Sequence, residues 1–265
     1  MVNPSPNETD EKTQKDAPQN LSDCDKSSKP ICLIGGGRGG RGKTSTQRWL
    51  YERAHNAGRS VLLADGDHTN QSLRGFFPEA SSPPSAEPAA VGAWFEAEIE
   101  RASTTAQSLI VDFGGGDQTI KKMSRELSLV ESIQEAGLTP VALYCIGGDP
   151  DDLGALYSLY DAFAPPATLI VFSRFALPSH IDAVSWLETA VSQHEPFQAI
   201  LNAGAELVPV PTLSCAHRLS ERRLKFFDAL SGAGSNPLGV FDRQRVQTWM
   251  REMETSFARV THYLP

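Results

Sequence analysis

A chain of 265 residues, 40% of them hydrophobic, has room for one α/β domain or two small ones and for a sizeable buried core. Its net charge of −8 argues against a surface that grips nucleic acid all round, though not against a local basic patch. Cys24, Cys32, Cys145 and Cys215 are scattered without a C-x-x-C, which signals neither a disulfide framework nor a zinc site and fits a reducing cytoplasm; no apolar run reaches the ~18 residues of a membrane span, and the N-terminus shows no signal-peptide pattern.

Residues 1–29 are polar, mixed in charge and free of aromatic side chains. Such a segment buries too little apolar surface to offset the entropy of ordering, and a disordered tail is expected. An apolar strand follows at 31–34. Glycine then dominates from Gly35 to Gly42, and Lys43, Thr44 and Ser45 lead into a helix expected over 42–55. Read as G-x-x-x-x-G-K-[ST], the match is Gly37, Gly42, Lys43 and Thr44, a phosphate-binding loop between a strand and a helix. Gly37, Gly39, Gly40 and Gly42 let the backbone approach an anion without a Cβ in the way. Successive N–H groups across Arg38, Arg41 and the glycines then form a nest, to which the helix N-terminus at Ser45 adds positive partial charge. Lys43 supplies a point charge for the β- and γ-phosphates, and the Thr44 hydroxyl is a ligand for Mg2+. Gly37, Gly39 and Gly42 also satisfy the dinucleotide pattern G-x-G-x-x-G, with Asp65 where a ribose-binding acid belongs. The glycines alone do not decide between the two; Lys43-Thr44 directly after the last glycine favours a triphosphate.

A second strand is expected at 60–65, ending in Asp65-Gly66-Asp67. Two carboxylates spaced by one residue at the C-terminal end of a strand suit a metal–phosphate site, since ligands of doubly wound sheets bind at that edge. A Pro/Ser-rich loop covers 76–90, a helix 91–102, and a third strand 108–112 ends in Asp112, the pattern of an acid that polarises a water on Mg2+. Next come a helix over 119–136, a strand at 139–146, a polar loop that caps a helix to residue 163, and a strand at 167–173. A helix over 180–193, a strand at 205–210 and two helices over 215–230 and 242–260 complete the chain. Strands and helices alternate throughout, so the fold class is α/β: a mostly parallel sheet with helices on both faces, formed by residues 30–265 as a single domain.

These residues carry a family likeness. Arg38-Gly-Gly-Arg-Gly-Lys-Thr44 resembles the deviant Walker A box of the ParA/MinD P-loop ATPases, K-G-G-x-G-K-[ST]. The stretch from Val61 to Asp67, with Asn70 and Leu73, resembles that family's D-x-D-P-Q-x-N-x-x-L, and the strand ending in Asp112 looks like its Walker B. The likeness covers about residues 30–175 well and the C-terminal third loosely. It implies an ATP- and Mg2+-dependent homodimer that sandwiches nucleotide and is dissolved by hydrolysis. Carried over, Lys43 and Thr44 hold phosphate and Mg2+, Asp67 orients the attacking water, and Asp65 and Asp112 support the metal. The chain departs from the pattern at three positions: Arg38 stands for the signature lysine, His68 for the proline after the second acid, and Ser173 for an asparagine that helps read adenine. The iron–sulfur branch needs a cysteine after Walker B, and 113–122 has none; the tyrosine-kinase branch has a tyrosine-rich tail, and here there is only Tyr263.

Members of the family position plasmids, chromosomes, division machinery or conjugation complexes. The likeness therefore suggests plasmid DNA partition or conjugal mobilisation, with a plasmid-encoded DNA-binding or relaxase-type protein as partner. Arg218, Arg222, Arg223, Lys225, Arg243, Arg245 and Arg251 in the last two predicted helices form a candidate non-specific DNA surface; solvated helix faces are the plainer reading, as Glu221, Asp228, Asp242 and Glu252 intervene. The alternative activity is that of an ATP-dependent small-molecule ligase on the same fold, resembling dethiobiotin synthetase.

Overall fold

The computed structural model describes residues 29–68, 70–114, 118–177, 181–234 and 236–265. The tail expected over 1–29 therefore falls, but for its last residue, outside the described residues. Six strands form the sheet: β1 (Ile31–Gly37), β2 (Val61–Asp65), β3 (Ser108–Asp112), β4 (Thr139–Ile146), β5 (Ala167–Ser173) and β6 (Glu206–Val210). Every neighbouring pair is parallel, and the spatial order is β2-β3-β1-β4-β5-β6. Parallel strands are covered on both faces, so they read as near-continuous apolar runs, as Ala167–Ser173 does with every residue buried.

Ten helices among the described residues cover the two faces: α1 (Lys43–Asn56), α2 (Pro88–Thr105), α3 (Thr119–Glu126), α4 (Leu129–Glu135), α5 (Pro150–Ala162), α6 (Ala183–Gln193), α7 (Glu195–Asn202), α8 (Ala216–Glu221), α9 (Phe226–Ser231) and α10 (Val240–Phe257). Alternation along a strand sorts the core into two layers. Leu33, Ile110 and Leu143 pack with Trp49 and Leu50 of α1, Phe226 of α9 and Met253 of α10. Cys32, Ile34 and Val111 pack with Phe95 of α2, Met123 of α3, Leu156 of α5 and Phe197 of α7. The chain builds β1 to β3 toward one edge and β4 to β6 toward the other, so β1 lies between β3 and β4 at the point where the winding reverses. Crevices for ligands open at such a point, outside the C-terminal ends of the strands.

Several element boundaries differ from the sequence reading. Strand β1 runs on through the first three glycines, because Gly35, Gly36 and Gly37 pair with Leu143, Tyr144 and Cys145 of β4. The helix expected over 119–136 is two, broken where Leu127 turns extended at φ −134° and ψ 148°. The helix expected over 215–230 is also two, with Arg223 between them at φ 52°. Helix α7 was not foreseen; Pro196 sits in its first turn, where a missing N–H costs nothing. Among the described residues no helix is long and apolar enough to cross a membrane.

Candidate functional site

The loop from Gly37 to Gly42 leaves β1 at the reversal point and turns into α1. Gly37, Gly40 and Gly42 hold φ of 128°, 75° and 82°, a region that side chains disfavour. Gly37 has a second reason to be glycine: a Cβ there would run into the carbonyl oxygen of Cys145. Helix α1 then begins at Lys43, whose buried ammonium pairs with Asp112 Oδ1. Thr44 donates its hydroxyl to Asp112 Oδ2 at 2.7 Å. One carboxylate at the end of β3 thus receives both side chains that the motif singled out, 68 and 69 residues away in sequence. Gln47, one turn on, donates to the Val111 carbonyl at 2.7 Å and fixes α1 over β3.

The acids line up across the sheet. Asp65 of β2 is the register partner of Asp112, which is the partner of Gly35. Asp65 is buried and accepts from the N–H groups of Asp67 at 3.2 Å and Arg74 at 2.9 Å. Burial, above all, pushes its carboxyl up to about 6, with the neighbouring Asp112 and Asp67 charges acting in the same direction. Asp67 stands farther out, accepting from Asn70 N–H at 2.8 Å. A Cβ on Gly114 would lie 3.1 Å from its Cγ, so that glycine makes room for it. The sequence stretch 113–117 continues through residues outside the description.

Arg38, Gly39, Gly40, Arg41, Gly42, Lys43, Thr44 and Ser45 line a cavity of about 270 Å3, closed on its other side by Asp67, Asn70, Ser72 and Phe175. Gly37 lies below it in the strand. Asp65 and Asp112 form the floor behind Lys43 and Thr44 rather than its wall. The loop's two arginines do not point freely into it. Arg41 donates to Asp152 at 2.8 Å and to Asp149 at 3.2 Å. Arg38 pairs with Asp149 at 3.0 Å and with Asp152 at 3.4 Å. Asp152 is fully buried and also accepts the Gly147 N–H at 2.9 Å, while Asp149 caps α5 by accepting from Asp151 N–H at 3.0 Å. That capping hydrogen bond, and then the arginines, hold the Asp149 carboxyl below its ordinary range. The sequence offered only one hint of this network, the run Asp149-Pro-Asp-Asp152 read as a helix cap. Ser173, at the end of β5, donates to the Arg41 carbonyl at 2.5 Å and so ties the loop to a third strand.

Chemically, the arrangement suits an anion under a ring of N–H groups, a buried cation at Lys43, and a small metal ion. Mg2+ bound with phosphates keeps several waters and takes one or two carboxylates. A hydroxyl and a carboxylate in direct contact at Thr44 and Asp112, with Asp65 behind, fit that donor set; among the described residues there is no cluster of three or more acids, histidines or cysteines of the kind an all-protein metal cage needs.

No protein-family profile matches the chain, and no curated protein does. Solved structures do. The cell division protein FtsY of Thermotoga maritima superposes with a TM-score of 0.50 at 16% identity, over 84% of this chain and 69% of that one. The signal recognition particle receptor FtsY of Elizabethkingia anophelis, in complex with GDP, gives 0.48 at 14% identity over 87% and 66%. The MinC:MinD cell division complex of Aquifex aeolicus gives 0.47 at 11% identity, over 85% of this chain and 96% of that one. This chain spans 52% to 69% of the length of the FtsY chains it is similar to. The fold is α/β, an all-parallel six-stranded sheet between layers of helices, and it is shared with the Thermotoga maritima protein.

Proposed function

We propose that this protein is a Mg2+-dependent nucleoside triphosphatase of the ParA/MinD type, with ATP as its working nucleotide and a nucleotide-bound homodimer as its active form. The observation that carries the reading is the convergence of Lys43 and Thr44 on Asp112 beneath a glycine-rich loop at the reversal point of the sheet. In this reading the N–H groups of the loop wrap the β- and γ-phosphates. Lys43 exchanges Asp112 for phosphate oxygens, and Thr44 and Asp112 hold the metal with Asp65 behind them. Mg2+, when bound, supplies charge neutralisation on the phosphates. Asp67, at the mouth of the cavity and held by Asn70, orients the water that attacks the γ-phosphorus. Arg38 reaches the phosphates of a second subunit, which requires that it leave Asp149. In the cell this cycle would serve plasmid DNA partition or conjugal mobilisation, through DNA or a plasmid-encoded partner protein.

Phosphate release and calorimetry with ATP and Mg2+ test the reading on three chains. Wild type should bind and hydrolyse. Lys43→Ala should lose at least about tenfold in affinity, as a charge-assisted contact to phosphate is worth more than 1.4 kcal/mol. Asp67→Ala should keep the affinity and lose about 100-fold or more in turnover, because positioning and activating the nucleophile are what it contributes. Wild-type affinity in the Lys43 variant would end the phosphate-loop assignment; stimulation by a metabolite instead of by DNA or protein would turn the reading toward a ligase.

A further inference from the structure

Helix α1 meets β3 at two consecutive residues. Lys43 and Thr44 take the Asp112 carboxylate, and Gln47 takes the Val111 carbonyl at 2.7 Å. Lys43 and Gln47 stand four residues apart, so they lie one above the other on the same helix face. Side chains alternate along a strand. Ile110 and Asp112 therefore face α1, while Val111 packs into the opposite layer with Ile34 and Phe95. At position 111 α1 meets backbone alone, and a side-chain amide is long enough and polar enough to bond to it.

The amide has a place made for it. Gln47 is fully buried, and it lies across Gly35 of β1, the register partner of Asp112. A Cβ on Gly35 would run into Gln47 Nε2 and stand 2.9 Å from its Cδ. Gly35 belongs to a regular strand and lies outside the left-handed region, so its missing side chain makes room for the amide rather than for a turn. The Gln47 oxygen is buried without a hydrogen bond among the described residues. A leucine would fill the same space and leave no acceptor over, so what glutamine adds at this position is its N–H.

We propose that Gln47 is a positioning residue for Asp112: it keeps the end of β3 at a fixed height against α1 when Lys43 and Thr44 turn to a bound ligand. The proposal rests on the triphosphate reading and goes beyond it. Three polar contacts join α1 to β3 among the described residues. In that reading Lys43 leaves Asp112 for phosphate, and Thr44 and Asp112 share the metal, so two of the three are exchanged on loading. The third ends on a buried main-chain carbonyl and persists. A carboxylate that must meet Mg2+ has little room to drift, since this ion requires near-ideal octahedral geometry. Phosphate held by a nest of N–H groups and a flexible lysine is less exacting. Loss of the Gln47 contact should therefore show as a weaker response to Mg2+ and not as weaker binding of phosphate.

The test is calorimetry on the full chain with non-hydrolysable ATP and with inorganic tripolyphosphate, each in EDTA and in Mg2+, beside thermal midpoints of the ligand-free chains. In Gln47→Leu, affinity in EDTA should stay within about twofold of wild type, and the gain conferred by Mg2+ should shrink by about tenfold, the effect of one buried hydrogen bond. Gly35→Ala, whose methyl displaces the amide, should lose the Mg2+ gain to the same extent. Gln47→Ala should lose it too, and adding Gly35→Ala to Gln47→Ala should cost nothing more, because the group that the methyl would meet is gone. A wild-type Mg2+ gain in Gln47→Leu or in Gly35→Ala overturns the proposal, whatever happens to the midpoint. Equal losses in EDTA and in Mg2+ overturn it as well, since they would make Gln47 a packing residue. So do losses that add in the double variant. If wild type binds neither probe, the triphosphate reading itself fails, and the proposal with it.

Discussion

Asp152 shows what single residues do at this site. Its carboxylate is wholly out of water, yet it carries three obligations: the Gly147 N–H, the Arg41 fork and a share of Arg38. A buried carboxylate holds its charge only while such partners surround it, and removing it strands a guanidinium and an N–H together. Asp152→Ala should therefore cost about 3 kcal/mol in urea unfolding, against under 1 kcal/mol for Asp151→Ala, whose side chain is exposed and meets Arg38 at 3.7 Å. Equal losses in the two variants would mean that Asp152 is one surface charge among several. At this scale the sequence was partly legible. The residues from Gly37 to Ser45 and the acids Asp65 and Asp112 were picked out by spacing along one strand or loop, and the sheet brings them to one edge. The Arg38 and Arg41 pairings span more than 100 residues, and no local period announces a contact of that range.

At the scale of elements, α1 is the hub. Arg48 lies buried between the rings of Phe76 and Phe226, 3.2 and 4.7 Å from their centroids, and donates to the Leu224 carbonyl at 3.1 Å. Burial draws its guanidinium down to about 10. One turn on, Glu52 accepts the Phe227 N–H at 3.1 Å, which holds the start of α9. Burial pushes the Glu52 carboxyl up to about 7, against the opposing pull of that N–H and of Arg48. The unfolded chain has this group near 4.5, so between 4.5 and 7 the folded protein binds more protons than the unfolded one. Stability from Glu52 is therefore greatest at low pH and falls as pH rises through 7. The loss between pH 5 and pH 8 should be about 2 kcal/mol, and Glu52→Gln, which keeps an acceptor for Phe227, should flatten it. Denaturation midpoints at the two pH values decide this: parallel pH slopes in the two chains would remove Glu52 from the account. Alternation of strand and helix was legible because both periods are local. The break at Arg223 was not, since it answers to a tertiary neighbour: Arg223 turns back to occupy the space left by the missing side chain of Gly75 and lies 5.6 Å from the Phe76 ring.

Across the whole molecule, that turn changes what the C-terminal arginines can do. Arg218 and Arg245 both pair with Asp242, Arg223 is set against Gly75, Lys225 lies 4.8 Å from the Phe77 ring and Arg243 lies beside Gly232; half-buried Arg222 and exposed Arg251 make single contacts, to the Pro237 carbonyl at 2.7 Å and Thr248 at 3.3 Å. Reversing Arg223 would report on folding as much as on binding. Reversing Arg222 and Arg251 together is the cleaner probe: if these helices bind duplex DNA, the slope of log K against log salt should become shallower by about two. An unchanged slope assigns the two arginines to solvent.

Beyond the Lys43 and Thr44 contacts to Asp112, the polar links that fasten α1 to the rest include Gln47 to Val111, Arg48 to Leu224, Glu52 to Phe227, and Arg53 to Glu254 at 2.9 Å. Three of these run to residues beyond 223, of which the Arg48 bond is buried and the Glu52 bond partly so. Loop and tail are in this sense not interchangeable parts. A lineage could not exchange the C-terminal helices for another set, as modular proteins exchange domains, without first rewriting positions 48, 52 and 53 of the helix that begins at Lys43. Inheritance of the nucleotide loop and of whatever surface the tail presents is thereby linked, and the two should be passed on together.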